Sequence, residues 1–317
     1  YAMTNDVTLG HIVYPASNPN ASQSFILSDY VFGTTKVTDE YPSHDGRAYG
    51  VNQGKTLTFD AGASTASFAD YSTHGNLNTL YWFLAYPIQL KSDLLLKGVG
   101  STNYILKEPA FALAIGGDIK SDDGKHGLTV DVNTGTKYTD QAALFGENSD
   151  FTGDVHVNNG TLRLISKDSL EHEDTTPLGH DNNVYVAAGT ATIDIEDHKF
   201  GKTQHLYIGG AGNAANAGSI LSSYSDVSYW PEWKGKVTLT DSCAMVPEAS
   251  ICGLVIANSE AAFHDIRSIS QLNSVAPLPE NLEGWKRLRS LQLGDLRLSA
   301  EEMARIRKAL PKVAIVF

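Results

Sequence analysis

A 29-residue echo limits the folds open to this chain more than any other feature. Phe151-Thr-Gly-Asp-Val-His-Val-Asn-Asn-Gly-Thr-Leu-Arg-Leu164 returns as Val184-Tyr-Val-Ala-Ala-Gly-Thr-Ala-Thr-Ile-Asp-Ile195. Val155 to Val184 is 29 residues, and so is Gly160 to Gly189. Each copy is two short alternating runs joined at a glycine. Alternation sends one side chain inward and the next to solvent. Glycine supplies the positive φ that a tight corner needs. A unit this small cannot bury its apolar side alone, so neighbouring units must stack.

The same grammar runs through most of the first 260 residues. Thr56-Leu-Thr-Phe59, Leu128-Thr-Val-Asp-Val132 and Leu162-Arg-Leu-Ile165 are short strands, broken at once by Gly, Asn, Asp or Ser. Trp233-Lys-Gly-Lys-Val-Thr-Leu239 repeats the aromatic, Gly and aliphatic positions of Phe151 to Val157, which turns Trp233 inward. Leu80-Tyr-Trp-Phe-Leu-Ala-Tyr86 is the longest apolar run and ends at Pro87. It is far short of the ~18 residues of a membrane-spanning helix. The pattern predicts an all-β chain, a right-handed parallel β-helix, with a β-sandwich as the alternative.

Charge divides the chain. Residues 281–317 hold eight Lys/Arg and four Asp/Glu, a net +4; the first 280 hold 16 and 32, a net −16. The total of −12 argues against a nucleic-acid partner, which requires a basic face. In the basic tail, Leu288, Leu291 and Leu293 give an L-x-x-L-x-L pattern, and Ser299-Ala-Glu-Glu302 is a capping box. Met303, Ile306 and Leu310 follow at helical spacing, Pro311 stops the helix, and Val313-Ala-Ile-Val-Phe317 is a strand. The expected organisation is a cap over 1–45, a β-helical body over 46–258, and a linker with a small α/β unit over 259–317. Pro277-Leu-Pro279 marks the linker.

These residues carry a family resemblance. The run Asn148 to Leu164, then Ser169-Leu170, Leu178-Gly179 and Val184 to Ile195, resembles the autotransporter-associated β-strand repeat. The acidic bend Glu171-His-Glu-Asp174 is longer than that family's usual bend. The tail resembles a single leucine-rich repeat and its cap. The first resemblance implies a β-helical passenger of a Gram-negative, surface-displayed protein, exported to the outer membrane surface or beyond. It also implies an adhesin-like role, with glycans or host glycoproteins as partners and no cofactor. The start, Tyr1-Ala-Met-Thr-Asn5, lacks the basic and apolar regions of a signal peptide.

Several residue groups invite chemistry. Tyr224, Tyr229 and Trp230, with Asp226 and Glu232, form an aromatic and acidic cluster suited to sugars, the rings for stacking and the carboxylates for hydroxyls. Thr56 to Ser64 is similar to the aspartic-peptidase turn at Asp60. However, Ala61 replaces the expected hydroxyl residue, and no second such motif occurs. A carbohydrate-active enzyme is the main alternative function, since β-helices also host glycosidases and lyases; a peptidase using Asp60 is the remote one. His172 with Glu171, Glu173 and Asp174, then His180 and Asp181, reads as a solvated acidic loop; no metal is expected. Cys243 and Cys252 flank Pro247 and could pair as a disulfide across a hairpin in an exported protein.

Overall fold

A computed structural model describes residues 3–14, 25–27, 54–71, 82–98, 113–132, 141–146, 149–165, 176–196, 198–201, 203–213, 220–222, 232–243, 245–247, 255–256, 268–269, 282, 289–292 and 298–316. Nearly all of its regular structure is β, and every strand pairing among the described residues is parallel. The chain is a β-solenoid, and the sandwich alternative, which requires antiparallel sheets, does not apply. No helix among the described residues is long and apolar enough to cross a membrane.

Three faces recur in chain order. Face one stacks Val7–Leu9, Leu57–Phe59, Ile88–Leu90 and Ile119–Ser121. Face two stacks His11–Tyr14, Ala66–Asp70, Leu94–Gly98, Leu128–Val132, the start of Val155–Leu164, Asn183–Val186, His205–Gly210 and Val237–Cys243. Face three stacks Phe25–Leu27, Trp82–Leu84, Leu113–Ile115, Gln141–Leu144, the end of Val155–Leu164, Ala191–Asp194, Ile220–Ser222 and Met245–Pro247. Lys199–Phe200, Glu232–Trp233 and Val255–Ile256 form a further three-stranded sheet in the later coils.

Alternation becomes columns of identical environment. Phe68, Leu96, Val130, Val157, Val186, Ile208 and Leu239 follow one another along face two, all buried. Burying one such side chain is worth roughly 2 kcal/mol, and each sits on its counterpart in the next coil. The column is thus the stacking force that a lone coil lacks.

The two copies of the echo do not stack with one constant offset. On face two Val155 pairs with Val184, as the echo requires. On face three Gly160 pairs with Ala191 rather than with its sequence counterpart Gly189. The corner at 187–190 is longer than the corner at 158–159, and the register slips by the difference. Gly160 and Gly189 both have φ of 77°, as the corner requires, yet they are not partners across the coils.

The C-terminal unit continues the stack. Ser268–Ile269, Ser290–Gln292 and Ala314–Val316 form a parallel sheet. Leu282, Leu291, Ile306 and Leu310 belong to the same buried cluster as the coils. The helix Ala300–Ala309 begins as expected: Ser299 Oγ accepts from the Glu302 N–H at 3.1 Å. The Glu302 carboxylate serves a different partner from the one a capping box predicts. It takes Arg305 Nε at 2.8 Å, and its other oxygen takes the same guanidinium at 2.5 Å. That pairing holds the Glu302 carboxyl below the usual range.

Glycine is obligatory where one coil's corner lies against the next. A Cβ on Gly235 would sit 1.7 Å from the Gln204 carbonyl oxygen. Gly235→Ala is therefore expected to destabilise by roughly 2–3 kcal/mol, because the obstacle is backbone rather than a movable side chain. A urea denaturation midpoint equal to that of the unaltered protein would contradict this packing.

Candidate functional site

The described outer surface of face two offers the best-formed polar-aromatic strip. One outward column runs Ser67, Leu95, Thr129, His156, Tyr185, Tyr207, Thr238 in register. Parallel, in-register strands set three rings one above another. His156 and Tyr185 stack at 4.8 Å with 8° between planes; Tyr185 and Tyr207 stack at 4.7 Å with 16°. Because each ring covers its neighbour's face, the ladder shows solvent its edges and hydroxyls. Burial, and then the charge of Asp154, raises the Tyr185 phenol above its ordinary value, so it stays a donor at neutral pH.

Planar polar groups line both sides. On one side Asp154 Oδ1 accepts from Asn183 N at 3.2 Å and Nδ2 at 3.1 Å. On the other, Asp131 takes Lys97 Nζ on one oxygen and Asn159 Nδ2 on the other, the latter at 2.8 Å. Burial alone would raise the Asp131 carboxyl; the hydrogen bonds from Lys97 and Asn159 outweigh it and hold it below its ordinary value. At the Tyr207 end, His205 Nδ1 and Thr238 Oγ1 are buried without a hydrogen-bond partner.

A second polar cluster, on face three, is closed to solvent. Arg163 Nε donates to Glu196 Oε1 at 2.8 Å and lies 3.4 Å from Asp194 Oδ2. The three side chains are 8%, 0% and 3% exposed. Asn213 Nδ2 donates to Thr161 Oγ1, and Asn213 N to Thr192 Oγ1. Glu196 adopts φ 43°, a left-handed conformation uncommon outside glycine. With so little exposure this cluster holds neighbouring coils together.

Of the residues singled out from the sequence, few are among the described residues. Tyr224, Asp226, Tyr229 and Trp230 lie outside the described residues. Glu232 begins a short strand beside Trp233. Trp233 is fully buried, as its place in the repeat predicts. Asp60 closes a turn: its Oδ1 accepts from Gly62 N at 3.0 Å. Cys252, like Glu171, His172, Glu173 and Asp174, lies outside the described residues. Cys243 ends the strand Val237–Cys243. Among the described residues Val255–Ile256 pairs in parallel with Glu232–Trp233, and no antiparallel pairing with Val237–Cys243 is present. No group of three His, Cys, Asp or Glu suited to a metal occurs among the described residues.

Of the face-two ladder, His156 and Tyr185 are aligned by the echo, but a shared outward position is silent about ring stacking. Tyr207 follows Tyr185 at a shorter interval and escapes that period altogether.

The family model of the vitamin B12 dependent methionine synthase activation domain matches residues 231–275. Within that stretch the described residues are short strands that continue the solenoid's parallel pairing. No curated protein and no solved structure matches the chain.

Proposed function

We propose that this chain is an exported, surface-associated module of adhesin-like character, a non-enzymatic scaffold whose outer strip contacts glycans. The observation that supports it is the His156–Tyr185–Tyr207 ladder with Asp154, Asn183 and Asp131 beside it. Hydroxyl and imidazole donors repeat at the coil spacing, flanked by amides and carboxylates that accept from sugar hydroxyls. The solenoid keeps these groups in fixed register, so little ordering cost falls on binding.

A glycan and mucin array, run beside a reducing-sugar assay, tests this reading. Binding without product is the expected result. Tyr207→Ala is expected to weaken binding roughly fivefold to tenfold, the effect of losing one aromatic contact. Release of reducing ends would replace the binding module with an enzyme, and a blank array would remove the glycan.

A further inference from the structure

One histidine bridges neighbouring coils at the corner between faces one and two. His180 places Nδ1 2.9 Å from Oδ2 of Asp181, on its own coil, and Nε2 2.9 Å from Oδ1 of Asp150, on the coil before. A neutral imidazole carries a single N–H. In either neutral tautomer one ring nitrogen would face a carboxylate oxygen, lone pair against lone pair. Only the imidazolium donates to both.

The backbone positions both carboxylates, whose side chains stay exposed to solvent. Asp150 is held by its backbone N–H on the Ile119 carbonyl at 2.7 Å and bridges to Lys120. Asp181 sits at φ 52°. His126 is not bound in this way: its Nδ1 lies 3.5 Å from Asp93 on the preceding coil and its Nε2 3.6 Å from Asp123 on its own, without a hydrogen bond to either. Asp93 accepts instead from Gly127 N, and Asp123 from Ser121 Oγ and Lys125 N.

We propose that the Asp–His–Asp bridge at His180 forms an acid-closing clamp on the solenoid, fastening adjacent corners when the imidazole is protonated and releasing them when it is not. Among the described residues, the charged groups facing His180 are Asp150 and Asp181. His180 thus meets two negative charges, one from each coil it joins.

The direction of the pH dependence follows. Hydrogen bonds to Asp150 and then Asp181 raise the His180 pKa above 6.5, against a smaller opposing effect of burial. Its contribution is complete below 6.5, the unfolded value, and is lost as pH rises through the higher folded value. A hydrogen bond from Thr203, then one from His180, lowers the Asp181 carboxyl below 3.8. This carboxylate's contribution is present above 3.8 and lost as pH falls through the depressed value. The clamp is closed between these limits and opens on the alkaline side first.

Backbone hydrogen exchange of the full chain at about pH 5.5 and about pH 8, either side of an ordinary histidine, corrected for intrinsic exchange, tests the clamp. The expected result is several-fold greater protection of residues 179–183 on the acid side, and His180→Gln should abolish that difference. An NMR titration of the unaltered protein supplies the answer even if a variant fails to fold. A His180 titration at or below the ordinary histidine value, or equal protection at the two pH values, would overturn the proposal.

Discussion

Arg163→Met is expected to destabilise the solenoid by roughly 3–5 kcal/mol, the usual cost of stranding a buried charge. The guanidinium is shared by two carboxylates from the next coil, Glu196 at 2.7 Å and Asp194 at 3.4 Å. All three side chains are nearly or fully buried. Methionine fills much of the arginine stem's volume but leaves the two carboxylates side by side without the guanidinium. Asp194 Oδ1 also accepts from the Glu196 N–H at 3.2 Å, so the corner's left-handed turn depends on the same cluster. Chemical denaturation monitored by far-UV circular dichroism measures the loss. Adding Asp194→Asn and Glu196→Gln to Arg163→Met should recover part of it, because neutral amides need no cation. A single variant as stable as the parent would show that Arg163 does not neutralise this pair.

Trp233→Ala is expected to cost about 3–5 kcal/mol, in the range of large aromatic truncations in a core. Trp233 is fully buried and stacks on Phe200 with centroids 4.5 Å apart and planes at 28°. Its Nε1 donates to the Gln204 carbonyl at 3.1 Å. The Gln204 side chain in turn donates to Leu178 O, Gly179 O and Asn182 Oδ1, which gathers neighbouring coils at one corner. Trp233→Phe separates the two contributions. It keeps most of the ring packing but removes the donor to the Gln204 carbonyl, an expected loss of about 1–3 kcal/mol. Thermal unfolding of the three proteins should rank them parent, Phe, Ala. Equal midpoints for Phe and Ala would show that the hydrogen bond, not the ring volume, dominates.

The inward half of this architecture is readable from residue order. Period-2 alternation placed Leu57, Phe59, Leu128, Val130, Val155 and Val157 inside, and the repeat placed Phe151 and Trp233 there; all are buried. The coil length is not readable, because it varies. From Leu94 the face-two partners advance through Leu128, Val155, Val184, Leu206 and Val237 in unequal steps. The step from Leu94 to Leu128 is the longest of these and the step from Val184 to Leu206 the shortest. Corners absorb these differences without disturbing the columns, so a fixed period finds only the adjacent pair of coils that share it.

The same slippage hides the polar sites. At the echo's constant offset, Arg163 would lie beside Thr192, and no ion pair would be foreseen. The longer corner moves it to Asp194, and Glu196 then reaches it as well. The bridge at His180 is equally nonlocal, since Asp150 is contributed by a preceding coil. Clusters assembled across coils leave no local motif; only the stacked register reveals them.

Parallel stacking also sets how the molecule meets force. The hydrogen bonds between coils point along the stacking direction, while the covalent chain circles around it. Tension that separates the first coil from the last loads these bonds end-on. The pull passes through every rung in series, and an end coil, held by a neighbour on one side only, is the first to detach. Each released coil pays out its own length of slack, more from a long coil than from a short one. The scaffold therefore extends by yielding, in uneven steps, and holds its remaining register intact.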